Sequence, residues 1–320
     1  MTKRTSSSLV HVFVACTKRK SQQPRDGLRL SEYQGRFSAR ADAWINRVAD
    51  EAGDVQALDL YTGESWFVAK QICSKMEELC SLWAISAGFG LVHSGDLLTS
   101  YSATLSAGHA DSISRSGDQV TPTEATKMWW GKLCERQIPS NGDKHKSINS
   151  VANAYPESAL VVCGGRDYLI AIVDDVIKAK SQLSDPRRLV VFGAGNCPDP
   201  RIGDSWVQVS AKARQAVGGT MRSLSVRVAQ RVLEATEPNL FNSGSAQTVL
   251  SRLTASLDEF PQYRARRMSD QEIAAWILAE SDERPSLTQT FALRKLRDSG
   301  RACEQGRFGA LFTETMGATR

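Results

Sequence analysis

The sequence predicts an α/β fold: a mixed, mostly parallel sheet with flanking helices, followed by a small, mostly helical C-terminal domain. Three observations predict it. Short apolar, β-branched runs alternate with stretches of helical periodicity, the order that builds a parallel sheet. Ser/Thr-x-x-Glu signatures mark where helices open. Near Pro238 the chain turns to a polar segment, Asn239-Leu240-Phe241-Asn242-Ser243-Gly244-Ser245, which reads as a linker. The predicted domains are therefore residues 1–237 and 238–320.

Taken in order, strands are predicted over residues 9–15, 55–60, 82–86, 160–163, 189–192 and 206–209, each an apolar run of strand length. Residues 39–49 and 66–79 space their apolar side chains three and four apart and read as helices. Thr121-Pro122-Thr123-Glu124 is a capping box with proline at the first helical position, so a helix is predicted from Pro122 through Leu133. Residues 211–234 read as a long helical stretch broken at Gly218-Gly219. In the second domain Ser269-Asp270-Gln271-Glu272 opens a helix over 273–279. A further helix over 290–298 ends before Gly300, and with Gln305-Gly306-Arg307-Phe308 it suggests a helix-turn-helix variant.

With 320 residues, 41% of them hydrophobic and 23% charged, the chain has an ordinary globular composition. It has no apolar run of membrane-spanning length and no signal-peptide pattern at its start, so the expected location is cytoplasmic, with no membrane partner. Its seven cysteines form no CxxC pair, and its four histidines are scattered, so neither a disulfide framework nor a metal site is predicted. The formal charge of +5 is unevenly spread. Residues 1–40 hold nine Lys/Arg against Asp26 and Glu32, and residues 210–231 hold Lys212, Arg214, Arg222, Arg227 and Arg231 with no acid. Two cationic surfaces suit a phosphate backbone, as they also suit a solvated face.

The first strand ends in Cys16-Thr17-Lys18-Arg19-Lys20, a thiol and three cations in one loop. Ligands bind outside the carboxyl ends of parallel strands, and nearby cations favour the thiolate, the reactive form of cysteine. Tyr61-Thr62-Gly63-Glu64 ends the second predicted strand. Ile85-Ser86-Ala87-Gly88-Phe89-Gly90 sets two glycines after the third and leads to His93, Asp96 and Tyr101. Val162-Cys163-Gly164-Gly165-Arg166-Asp167-Tyr168 adds a glycine turn with a cation and a carboxylate. If these strand ends share one edge, Cys16, Lys20, Ser86, Asp96, Cys163, Arg166 and Asp167 face one pocket. Cys163, following two valines, reads more readily as core than as a nucleophile. Gly193-Ala194-Gly195 lacks the third glycine of a dinucleotide fingerprint, and no cofactor is predicted.

The order of these segments resembles the YaaA family. Tyr61-Thr62-Gly63-Glu64 is similar to its Y-x-G element. Ser86-Ala87-Gly88-Phe89-Gly90-Leu91-Val92, with Asp96-Leu97-Leu98 and Tyr101, is similar to its LSGLYGLLRPLDLIQPY stretch. Residues 160–168 resemble its strand ending in a small residue, an acid and a tyrosine. Residues 212–222 look like its K-x-A-R-G-x-M-A-R helix. The match covers about residues 9–235. Cys16 to Lys20, with Tyr33 and Phe37, is closer to the PCS-x3-K…Y-S-x-S-H-x2-F element of archaeosine synthase, although Arg36 stands near where that element has histidine.

The resemblance implies a nucleic-acid-associated enzyme. Members include a DNA-binding peroxide-stress protein and the DpdC-type enzymes, which convert the nitrile of preQ0, a 7-deazaguanine in DNA, to an amide or amidine. On that expectation Cys16, Lys20, Asp96, Arg166 and Asp167 are catalytic. Tyr61, Ser86, Phe89, Gly90, Tyr101 and Gly164 hold the base. Lys18, Arg19, Arg36, Lys212, Arg214, Arg222 and Arg227 hold the backbone of DNA, or of tRNA. Other DNA-modification enzymes are expected as partners, since the base must first be inserted. A non-catalytic DNA-binding protein of stress or phage defence and a base-excising glycosylase or nucleoside hydrolase stay open as alternatives.

Overall fold

A computed structural model describes residues 10–115, 120–135, 145–259 and 266–318. The fold is α/β. Its strands are β1 (Val10–Ala15), β2 (Val55–Gln56), β3 (Cys80–Ser86), β4 (Gly90–His93), β5 (Leu97–Leu98), β6 (Ala159–Cys163), β7 (Leu189–Gly193) and β8 (Trp206–Gln208). The main sheet runs β4-β3-β1-β6-β7-β8. All neighbours in it are parallel except β3 and β4, which form a hairpin with Ser86 opposite Gly90. β1 lies between two parallel partners, and Val10 through Val14 are all buried. That explains why its sequence is an unbroken apolar run.

The helices of this sheet are α1 (Phe37–Ala49), α2 (Ala57–Leu60), α3 (Glu64–Met76), α4 (Pro122–Glu135), α5 (Ile148–Ala154), α6 (Arg166–Gln182), α7 (Arg214–Val217), α8 (Leu224–Glu234) and α9 (Ser243–Thr254). α3 packs against β1, β3 and α8, while α4 packs against α6, α1 and β4. The capping box at Thr121 is formed, with Glu124 accepting from the Thr121 amide and hydroxyl. The break at Gly218-Gly219 is also present, both glycines having positive φ.

Four expectations are corrected. The strand over 55–60 lasts only through Gln56, and β2 pairs with β5 rather than the main sheet. Ala57, Leu60 and Tyr61 are the buried positions there, a helical spacing that a short apolar run conceals. The linker after Pro238 belongs to the first unit: Phe241 is fully buried, and Asn242 caps α9 with a capping box. The chain divides into Met1–Glu259 and Phe260–Arg320. Cys73 and Cys80 are joined as a disulfide, a pairing the spacing did not signal.

The second unit contains α10 (Asp270–Glu283), α11 (Gln289–Asp298) and α12 (Gln305–Ala318) around its own core of Ile273, Ile277, Leu296 and Phe308. Between α11 and α12 the chain forms β10 (Arg301–Ala302), parallel to β9 (Arg266–Arg267), so a strand stands where a plain turn was expected. Among the described residues no helix is long and apolar enough to cross a membrane.

The segment from β8 to α8 is tied to the start of α3. Glu64 accepts from the Thr220 amide at 3.2 Å and hydroxyl at 2.7 Å, and from Arg227 Nη2 at 2.7 Å. These bonds, Thr220's first and Arg227's after it, hold its carboxyl down at about 2. A depressed carboxyl stabilises the fold above its ordinary pKa and loses that contribution as pH falls. Glu64→Gln is therefore expected to lose about 1–2 kcal/mol at neutral pH. In denaturation curves the gap to wild type should close between about pH 4.5 and 2.

Candidate active site at the end of the central strand

The carboxyl ends of β1, β3 and β6 bring one cluster together. Cys16 extends the β1 ladder, its amide donating to Ile85 O at 3.0 Å, and its side chain is 7% exposed. The chain then swings outward through exposed Lys18 and Arg19 and returns at Lys20, which bridges to Tyr61. The turn is closed by Thr62 N to Arg19 O and Ser21 N to Leu60 O. Lys20 Nζ lies 4.0 Å from the centre of the Tyr101 ring, a cation over a π face. Burial pulls its pKa down, against the opposing pull of Cys16 and Asp111. Burial pushes the Asp111 carboxyl up, but bonds from Ser31 and Ser102 leave it below its ordinary value.

Ser86 ends β3. Its Oγ accepts from the amides of Gly88 at 3.2 Å and Phe89 at 3.0 Å and lies 2.7 Å from Tyr101 Oη. Two lone pairs are thus occupied, so the Ser86 hydrogen points to Tyr101. Tyr101 Oη in turn donates to Cys16 Sγ at 3.6 Å and lies 3.1 Å from Tyr61 Oη. The carbonyls of the same turn are satisfied by tryptophans: Trp129 Nε1 donates to Ala87 O at 2.8 Å and Trp44 Nε1 to Gly88 O at 3.0 Å.

β6 supplies the last member. After Gly164 and Gly165, α6 opens and its first turn sets Tyr168 Oη 3.4 Å from Cys16 Sγ. Burial pushes the hydroxyls of Tyr61, Tyr101 and Tyr168 far above the usual tyrosine range, so all three stay protonated. The result is a nearly buried thiol beside two phenol groups, with a cation over one ring. Such a group is suited to nucleophilic attack coupled to proton transfer.

The cluster contains Cys16, Lys20, Tyr61, Ser86 and Tyr101 from the sequence expectation. Tyr168 ends a segment noted in the sequence but had no role assigned to it, and its spacing from Cys16 carried no signal. Phe89 packs edge-on against Tyr101 at 5.1 Å, and Gly164 lies against the Leu169 side chain and the Tyr168 Cβ. Gly90 turns with positive φ against Leu133.

Several assignments do not survive the geometry. Asp96 lies beyond the hairpin, where β4 runs back along β3 and Ser94 N bonds Leu82 O. Its carboxylate accepts from the His93 amide at 2.9 Å and lines a separate cavity of about 310 Å³ with Asp50, Glu51 and Leu91. His93 packs on Trp83 instead of joining Tyr101. Asp167 is exposed, and Arg166 is turned toward Asn196 O at 3.4 Å. Tyr61 and Tyr101 are 2% and 1% exposed and packed against Trp66 and Trp44, so their faces are not open to a stacked base. Cys163 is core, as burial pushes its thiol up.

Arg227 is neutralised by Glu64, and Lys212 pairs with Glu259 at 3.4 Å. Lys18, Arg19, Arg36, Arg166, Arg214 and Arg222 are exposed and make no ion pair among the described residues. Arg214 bonds the Gly219 carbonyl at 2.7 Å. Lys18, Arg19 and Arg166 follow directly on the carboxyl ends of β1 and β6, whereas Arg214 opens α7 and Arg222 lies between α7 and α8. Among the described residues no group of His, Cys, Asp and Glu is placed to hold a metal.

The chain matches no protein-family model, no curated protein and no solved structure.

The Tyr101 ring lies directly on Gly88, where an added Cβ would stand 2.5 Å from Cε2 and 2.6 Å from Cδ2. Gly88→Ala is expected to cost about 1–3 kcal/mol in denaturant unfolding, because the ring must move off Ser86. Gly164→Ala, whose Cβ meets nothing closer than 3.4 Å, should cost less than about 0.5 kcal/mol.

Proposed function

We propose that this chain is a nucleic-acid-associated enzyme that modifies a 7-deazaguanine base in DNA, converting the nitrile of preQ0 to an amide or amidine. The observation that carries the reading is the Cys16 thiol held against the Tyr168 and Tyr101 hydroxyls at the strand-end edge. A nitrile needs a nucleophile at carbon and a proton donor at nitrogen, and the cluster holds both in one place. The thiol adds to carbon to form a thioimidate. Water then releases the amide, or ammonia the amidine, and the thiol is restored. Neither route oxidises or reduces the substrate, so neither calls for a redox cofactor. The resemblance in segment order supports the choice of base, and the unpaired cations bordering the edge support a polyanion as its carrier. Another enzyme must place preQ0 in the DNA first, and the proposed setting is the cytoplasm.

A second reading, a DNA-binding protein without catalysis, is favoured by those same cations together with the buried faces of Tyr61 and Tyr101.

The test is incubation with preQ0-containing DNA, digestion to nucleosides and mass spectrometry of the base. The expected outcome is the gain of one water or one ammonia, with turnover falling by about a hundredfold or more in Cys16→Ala. An unchanged base on DNA that is retained in a salt-sensitive manner would transfer the assignment to the second reading. In that case joint alanine substitution at Arg166, Arg214 and Arg222 should flatten the salt dependence, by about 0.9 in slope for each phosphate no longer neutralised.

A further inference from the structure

We propose that Tyr168 is a catalytic residue of this site, relaying the Cys16 proton to the substrate nitrogen as the thiol adds. The inference rests on the nitrile reading above and assigns the group that completes its first step.

The geometry separates Tyr168 from the other candidates. Its Oη and Cys16 Sγ are 3.4 Å apart, a hydrogen bond in which either atom can donate. Tyr101 is already engaged: its oxygen receives the Ser86 hydrogen, lies against Tyr61 and directs its own hydrogen to Sγ. Transfer from Tyr101 would also require that buried chain to reorganise. Lys20 Nζ sits over the face of the Tyr101 ring, 4.0 Å from its centre. Asp96 and Asp167 are outside the cluster. Tyr168 is 8% exposed and sits in the first turn of α6, with Thr104 among the other side chains that act on its hydroxyl.

The step balances without a charged intermediate. Cys16 Sγ bonds the nitrile carbon as one C–N π bond opens. The nitrogen takes the Tyr168 hydroxyl proton, and the Tyr168 oxygen takes the proton leaving Cys16. The product is Cys16–S–C(=NH)–R, and Tyr168 ends as it began, a neutral phenol. A phenol that stays protonated suits this exchange, because it receives a proton at the moment that it gives one.

The experiment uses the full chain and a small heteroaromatic nitrile, 2-cyanopyrimidine, with adducts at Cys16 followed by peptide-resolved mass spectrometry. Iodoacetamide is the parallel probe, since displacement of iodide alkylates the same sulfur without protonating a nitrogen. Tyr168→Phe keeps the ring and removes only the hydroxyl. The relay predicts that nitrile addition slows by about a hundredfold, while alkylation and the thermal midpoint stay near wild type. Equal slowing with both probes would show that Tyr168 merely positions the thiol and would overturn the relay. Unchanged nitrile addition would overturn it as well. In both of those cases the wild-type adduct would leave the nitrile reading standing. A wild-type Cys16 that is alkylated but forms no nitrile adduct would instead remove that reading, and the relay with it.

Discussion

Ser86 holds the buried polar cluster in one orientation, because a hydroxyl has two lone pairs and one hydrogen and the amides of Gly88 and Phe89 occupy both lone pairs. Its hydrogen must go to Tyr101, and Tyr101 then points at Cys16. The direction of the chain is set by a backbone turn, and Trp44 and Trp129 satisfy the carbonyls of that turn. Leaving any of these groups unpaired inside the protein would cost about 1–3 kcal/mol. The cluster is consequently stiff, and stiffness is what a nucleophile needs if it is to meet its substrate in one geometry.

The sheet places this turn beside the thiol. β1 lies between β3 and β6 in parallel register, so Cys16, Ser86 and the start of α6 arrive at the same edge. The antiparallel β4 carries the chain the other way and takes His93 and Asp96 with it. That reversal keeps His93 and Asp96 out of the site, and the chain after β5 returns Tyr101 to it. Charge is partitioned in a similar manner. Glu64 and Glu259 take Arg227 and Lys212, whereas the cations on the strand-end loops keep their charge open to solvent.

Much of this could be read from residues in order. The β1 run, the capping boxes at Thr121 and Ser269 and the break at Gly218-Gly219 all follow from local physics: burial on both faces, orphan amides at helix starts, and positive φ. Residues 55–60 misled, because four apolar positions fit a strand and a helical turn alike. The segment after Pro238 misled because its polar residues concealed Phe241, a core side chain, next to a helix cap.

The sequence by itself determined the α/β class, the position of Cys16 at the end of a buried strand, and the presence of Lys20 and Ser86 at or just after strand ends. Local patterns encode these, since periodicity and capping act within a few residues. Only the tertiary structure decided that Tyr168, 152 residues from Cys16, touches its sulfur. It alone decided that Asp96 does not join the site and that Arg227 is neutralised. Hydrogen bonds and ion pairs act over about 3–4 Å, and at that range the strand order and the turn of each loop choose the partners.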